Sequence, residues 1–123
     1  MEGFSKFGRY APDNTTQVQD DDGPFVYCGF EPAAIWIKGI GAAESWVMRD
    51  GTRNPTNPVN LNFSTNQPGA QTTSQFDLDF CANGFKIRNG DGVMNFNNSG
   101  PYIYAAWAYH PFAGNNVQPG TAR

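Results

Sequence analysis

Two carboxylates set two residues apart, Asp77 and Asp79, are the first pair in this sequence that could do acid–base chemistry. On an extended strand they share a face about 6.5–7 Å apart, a separation at which paired carboxylates can hydrolyse a glycoside. The same acids alternate strictly with Phe76, Leu78 and Phe80, and Lys86 and Arg88 follow beyond Asn83-Gly84. That pattern describes the outer face of an amphipathic strand, neutralised across a hairpin, better than it describes a catalytic pair. His110 is the only histidine. General-base work needs an orienting partner and a nucleophile, and the sequence holds no nucleophile elbow, His-Glu-x-x-His or phosphate loop. No catalytic residue is expected, and the chain reads as non-enzymatic.

Oxygen-rich stretches occur at Asp20-Asp21-Asp22 and Asn89-Gly90-Asp91-Gly92. Neither fits the twelve-residue calcium loop, which closes on a bidentate Glu, and ordinary turns account for both. Cys28 and Cys81 are too few for a disulfide framework and badly spaced for zinc. Both sit among strand-forming aromatics and read as buried thiols, with a bridge between them as the alternative. No metal or cofactor is expected.

Trp36, Trp46, Trp107 and the tyrosines could stack on sugar rings. In the run 102–109 one face holds Tyr102, Tyr104, Ala106 and Ala108, and the other Ile103, Ala105, Trp107 and Tyr109. Both faces are apolar, which marks a central strand buried on both sides or covered by a neighbouring subunit. Core is the first reading. Tyr102, Tyr104, Trp107 and Tyr109 are the candidates for a subunit or ligand surface.

These side chains must be positioned by strands. Aromatics make up 15% of the 123 residues, whereas Leu occurs only at Leu61 and Leu78, a balance that suits pleated sheets. Turn chemistry recurs every 8–12 residues or so, and no segment keeps a helical apolar period. Strands are expected over residues 4–10, 24–30, 33–38, 45–50, 60–64, 76–81, 85–88, 93–96 and 102–109, with at most a short helix near 39–44. If Asn83-Gly84 forms a two-residue loop, Phe80 faces Ile87 and Asp79 faces Arg88. The fold class is all-β: an antiparallel sandwich, jelly-roll-like, with little or no helix. Residues 1–123 read as one domain with loop-rich segments 11–22 and 53–75 and a polar tail 113–123. The Pro-rich segment 53–75 holds a short edge strand.

Eight Lys and Arg against eleven Asp and Glu give a net charge of −3 and a pI near 4.8. Without a basic stripe no nucleic-acid partner is expected. No apolar run nears the ~18 residues of a membrane span, and no signal-peptide pattern opens the chain. A soluble product without membrane insertion follows.

The runs Gly23-Pro24-Phe25-Val26-Tyr27, Gly29-Phe30-Glu31-Pro32-Ala33, Ile35-Trp36-Ile37-Lys38 and Ser45-Trp46 carry a resemblance. So do Asn83-Gly84-Phe85-Lys86-Ile87-Arg88, Tyr102-Ile103-Tyr104-Ala105-Ala106-Trp107-Ala108, Pro111-Phe112 and the closing Thr121-Ala122-Arg123. Together they resemble a C-terminal domain of unknown function that recurs in tailed-phage tail and virion surface proteins, often after lectin-like sandwich domains. Such domains usually end a longer chain, whereas Met1 directly precedes this one, which implies a free-standing virion protein or an excised domain. The resemblance implies a non-enzymatic structural protein on the phage particle surface, assembled in the host cytoplasm. A tail fibre or spike module for host recognition, or its support, is the first expectation. A head-decoration (cement) protein is the alternative, and a small polysaccharide-degrading enzyme a minor one. Implied partners are other virion proteins and a host surface glycan. Surplus apolar side chains and few charges point to a closed homo-oligomer, and analogy with phage architecture makes it a homotrimer.

Overall fold

The strongest local pattern, β-branched and aromatic residues alternating in register, becomes strand throughout. The computed structural model describes residues 1–15 and 22–111, apart from the side chains of residues 74–77. Within them run β1 (Ser5–Tyr10), β2 (Phe25–Tyr27), β3 (Pro32–Gly39), β4 (Val47–Asp50), β5 (Val59–Ser64), β6 (Thr72–Cys81), β7 (Gly84–Ile87) and β8 (Tyr102–Ala108). No helix occurs among the described residues, residues 39–44 included. Every pairing is antiparallel, in the order β1-β8-β3-β4-β5-β6-β7-β2. β3 to β7 form a meander, and β8 returns to lie between β1 and β3. The sheet curls until β1 and β2, its two edges, approach one another without pairing among the described residues. The result is the expected all-β, sandwich-like body.

The core lies inside the curl. β3 turns Ile35 and Ile37 inward, and β8 turns Tyr102, Tyr104 and Ala106 inward, all 5% exposed or less. Val47, Val59, Leu78, Phe85 and Ile87 complete it from the other strands. Each such aliphatic side chain is worth roughly 1.5–3 kcal/mol of burial. Tyr10 stacks on Tyr102, centroids 5.2 Å apart, and meets Phe85 edge-on at 6.2 Å, so rings bind the two ends of the curled sheet together. Arg49 on β4 is fully buried, its guanidinium bonded to Asn62 and to the Met48 carbonyl.

Three expectations are corrected. Residues 93–96 form turns: Met94 and Asn95 both donate backbone N–H groups to the Asp91 carbonyl, and Val93 N donates to the Asp91 carboxylate. The strand inside 53–75 is not an edge, since β5 pairs with both β4 and β6. Pro55 and Pro58 fall just before it, where a missing N–H costs no ladder bond. The β6–β7 loop is Ala82-Asn83, with Cys81 opposite Gly84, Phe80 opposite Phe85 and Asp79 opposite Lys86. Gly84 belongs to the strand because β2 packs against it: a Cβ there would sit 2.1 Å from the Val26 carbonyl oxygen. The slip is two residues, so inward and outward faces are unchanged, and Asp79 still reaches Arg88 diagonally at 3.7 Å.

The loop before β8 is held from beneath. The Tyr102 hydroxyl donates to the Gly92 carbonyl at 2.5 Å and accepts from Phe96 N at 3.0 Å. The Tyr10 hydroxyl donates to the Met94 carbonyl at 2.7 Å, and Asn95 exchanges two bonds with Asp13.

Candidate functional site

The residues singled out for chemistry are scattered. Asp79 lies half-buried beside Arg88, and the side chain of Asp77 lies outside the described set. His110 is exposed, its ring edge-on to Tyr109 at 4.7 Å, with no carboxylate against it among the contacts described. Asn89 and Asp91 turn their oxygens onto the backbone N–H groups of Asp91 and Val93, as turn residues do. Asp20 and Asp21 fall outside the described residues. Asp22 bonds Lys86 at 2.7 Å, and that ammonium lowers its carboxyl pKa. Both cysteines are free thiols, Cys28 buried and Cys81 half-buried. Burial pushes the Cys28 thiol up to about 11, the opposite of an activated nucleophile. Among the described residues no three His, Cys, Asp or Glu side chains converge as metal ligands.

The expected surface quartet divides. Tyr102 and Tyr104, 0% and 5% exposed, point into the core and are corrected to core residues. Inward geometry follows from parity: they share the face of Ala106 and Ala108. Trp107 lies half-buried on the opposite, outer face, and Tyr109, just beyond β8, is exposed.

On that outer face the cross-strand registers align one row over five strands. Phe7 of β1 pairs with Ala105 of β8, Ala105 with Trp36 of β3, Trp36 with Met48 of β4, and Met48 with Phe63 of β5. At about 4.8 Å per strand the row spans about 19 Å. Phe7, Trp36 and Phe63 are its exposed large members. Trp107 lies edge-on to Phe7 at 6.1 Å and to Trp36 at 5.6 Å. Between Phe7 and Trp36 opens a trough of about 370 Å3, floored by Ala105 and flanked by Ile103 and Trp46. All three tryptophans of the chain therefore meet this outer surface and none lies in the core. Arg53 covers the Phe63 ring at 5.7 Å and pairs with Asp50, closing the far end of the row with charge.

A second hollow, about 560 Å3, follows the open seam between β1 and β2. Lys6 crosses it to lie over the Tyr27 ring at 5.2 Å. Glu2, Lys6 and Cys28 line it, but with the thiol held protonated they do not assemble a nucleophile and base.

Sequence reasoning identified Trp36, Trp46 and Trp107 as a possible platform but missed Phe7, Met48 and Phe63. Strict alternation places each of them opposite an inward residue of its own strand. Only the strand order shows that they form one line.

No curated protein and no solved structure matches the chain. One family does, described as a domain of unknown function (DUF7483), over residues 1–111. That match takes in all eight strands, the outer row and the seam, and the chain belongs to this family.

Proposed function

We propose that the domain is a non-enzymatic structural module on the surface of a tailed-phage virion, a tail fibre or spike component that takes part in host recognition or supports the part that does. The observation that carries this reading is the five-strand apolar row, exposed on the outside of an all-β body. Its titratable neighbours serve structure: Asp79 pairs with Arg88, Asp50 with Arg53, and Asp91 caps its own turn. The resemblance of the strand runs to domains of phage tail and virion surface proteins supports the same reading. Other virion proteins are the partners in it, and a host surface glycan the target of the finished fibre.

The test is location. Antibody-gold labelling and cryo-electron microscopy of the particles that encode the chain should place it at the tail in a few to a few dozen copies. Absence from purified particles, or hundreds of copies on the head, would overturn the fibre reading.

A further inference from the structure

We propose that the outer row is the contact between two copies of this chain, related by a two-fold axis that runs parallel to the strands through Trp36. The inference stands on area and on the order of side chains along the row, and it is independent of where the protein resides.

Phe7, Trp36 and Phe63 keep 68%, 39% and 39% of their surface in solvent. For aromatic side chains this amounts to roughly 300 Å2 of exposed apolar area. Trp46, Met48, Ile103 and Trp107, half-buried around them, bring the face to about 500 Å2. A specific interface covers about 800 Å2 per partner, of which about 65% is apolar in homodimers, hence about 500 Å2. The face has the area one copy needs, and Ser5, Arg9, Lys38 and Asp50 supply a polar rim one row to either side.

The order of side chains selects the partner. Along the row the side chains run large, small, large, medium, large: Phe7, Ala105, Trp36, Met48, Phe63. A two-fold through Trp36 reverses that order in the facing copy. Met48 of each copy then lies over the Ala105 trough of the other, Phe7 lies over Phe63, and Trp36 meets Trp36. A thioether chain on free rotors fills such a gap well. Aromatic then meets aromatic and thioether meets methyl, so the row is its own chemical partner, as a closed isologous contact requires. A sugar fits less well, because the trough walls are apolar and its hydroxyls would lose water without gaining partners. A face reversed on itself by a two-fold gives a pair, in place of the threefold expected from phage analogy.

Light scattering on the full chain at micromolar concentration should return twice 13.5 kDa. Phe7→Ser should raise the dissociation constant at least about tenfold, as loss of a large aromatic anchor does, and shift the protein to 13.5 kDa. Tyr27→Ser, also well exposed but on β2, should remain paired. Dilution of the unaltered protein needs no variant: all three tryptophans meet the face, so their emission should move to the red as the pair separates. A wild-type mass of 13.5 kDa throughout, a threefold mass, or a pair indifferent to Phe7→Ser would each overturn the proposal. Cellohexaose that quenches the tryptophans of wild type but not of Phe7→Ser, with no change of mass, would give the face to a sugar instead.

Discussion

Replacing Gly84 by Ala should be among the most damaging single-methyl changes available in this fold. The added Cβ would stand 2.1 Å from the Val26 carbonyl oxygen and 3.0 Å from Phe25 Cζ, where ordinary contact begins at 3.4 Å. The obstacle is backbone, so no rotamer relieves it, and β2 must retreat by more than an ångström. Beyond the β2–β7 ladder, three bonds tie the flanks of β2 to β7 and its loop: Cys28 N and Gly29 N to the Asn83 carbonyl at 2.9 and 3.0 Å, and Ile87 N to the Pro24 carbonyl at 3.1 Å. Overpacking of this kind costs about 1–3 kcal/mol, and each backbone bond stretched out of range about 1 kcal/mol more. A loss near 3 kcal/mol follows, or about 12 °C in Tm at this chain length. The left-handed backbone that an Asn-Gly turn invites plays no part, because Gly84 is an extended strand residue. Urea unfolding followed by far-ultraviolet circular dichroism measures the change. Gly69→Ala is the internal control: nothing lies within 4 Å of its Cβ, so it should be neutral or gain a few tenths of a kcal/mol. A Gly84→Ala loss below about 1 kcal/mol would refute the packing argument.

Other expected outcomes follow from single bonds. Asn57 matches the Phe80 peptide at two points, Nδ2 donating to its carbonyl and Oδ1 accepting from its N–H, both at 2.9 Å. Asn57→Ala should cost about 1–2 kcal/mol, and Asn57→Asp should lose less at acid pH, where a protonated carboxyl can again donate. Tyr102→Phe removes the donor to Gly92 and the acceptor for Phe96 N, so about 2 kcal/mol should go and the Phe96 amide should exchange faster. Burial raises Cys28 to about 11 and Tyr102 and Tyr104 to about 12. The folded state keeps protons that the unfolded chain releases, so stability should be level below the unfolded thiol pKa and fall as pH rises from about 9 to 11. In urea melts, Cys28→Ala should flatten the first part of that fall, before the tyrosines contribute.

Strand identity was legible wherever alternation was strict. Eight of the nine expected strands exist, and the inward residues of β3, β7 and β8 follow from parity alone. Residues 93–96 misled because Val93, Met94 and Phe96 look like a strand. The Asp91 oxygens capture the N–H groups a ladder would need, which is a competition between side chain and backbone that composition does not reveal. Register failed at Asn83-Gly84 for a non-local reason, the close approach of β2. The apolar row was hidden for a similar one: Phe7, Trp36 and Phe63 span 56 positions in the chain, and only the return of β8 between β1 and β3 lines them up.

That return of β8 also settles how the body responds to tension. Ala108 N donates to the Phe4 carbonyl at 2.8 Å, and Ser5 lies opposite Trp107, so the chain enters β1 and leaves β8 at one corner. Antiparallel ladder bonds lie across the strands. A pull between residues 4 and 109 is therefore directed along those bonds and meets them one after another, from Phe4–Ala108 toward Tyr10–Tyr102. The pair opens like a zipper at low force. A pull between residues 10 and 109 acts along the strands instead and must shear every bond of the pair at once. With β1 unpaired on its other edge among the described residues, no second ladder there shares the strain, and the mechanical strength of the domain depends on which corner it is held by.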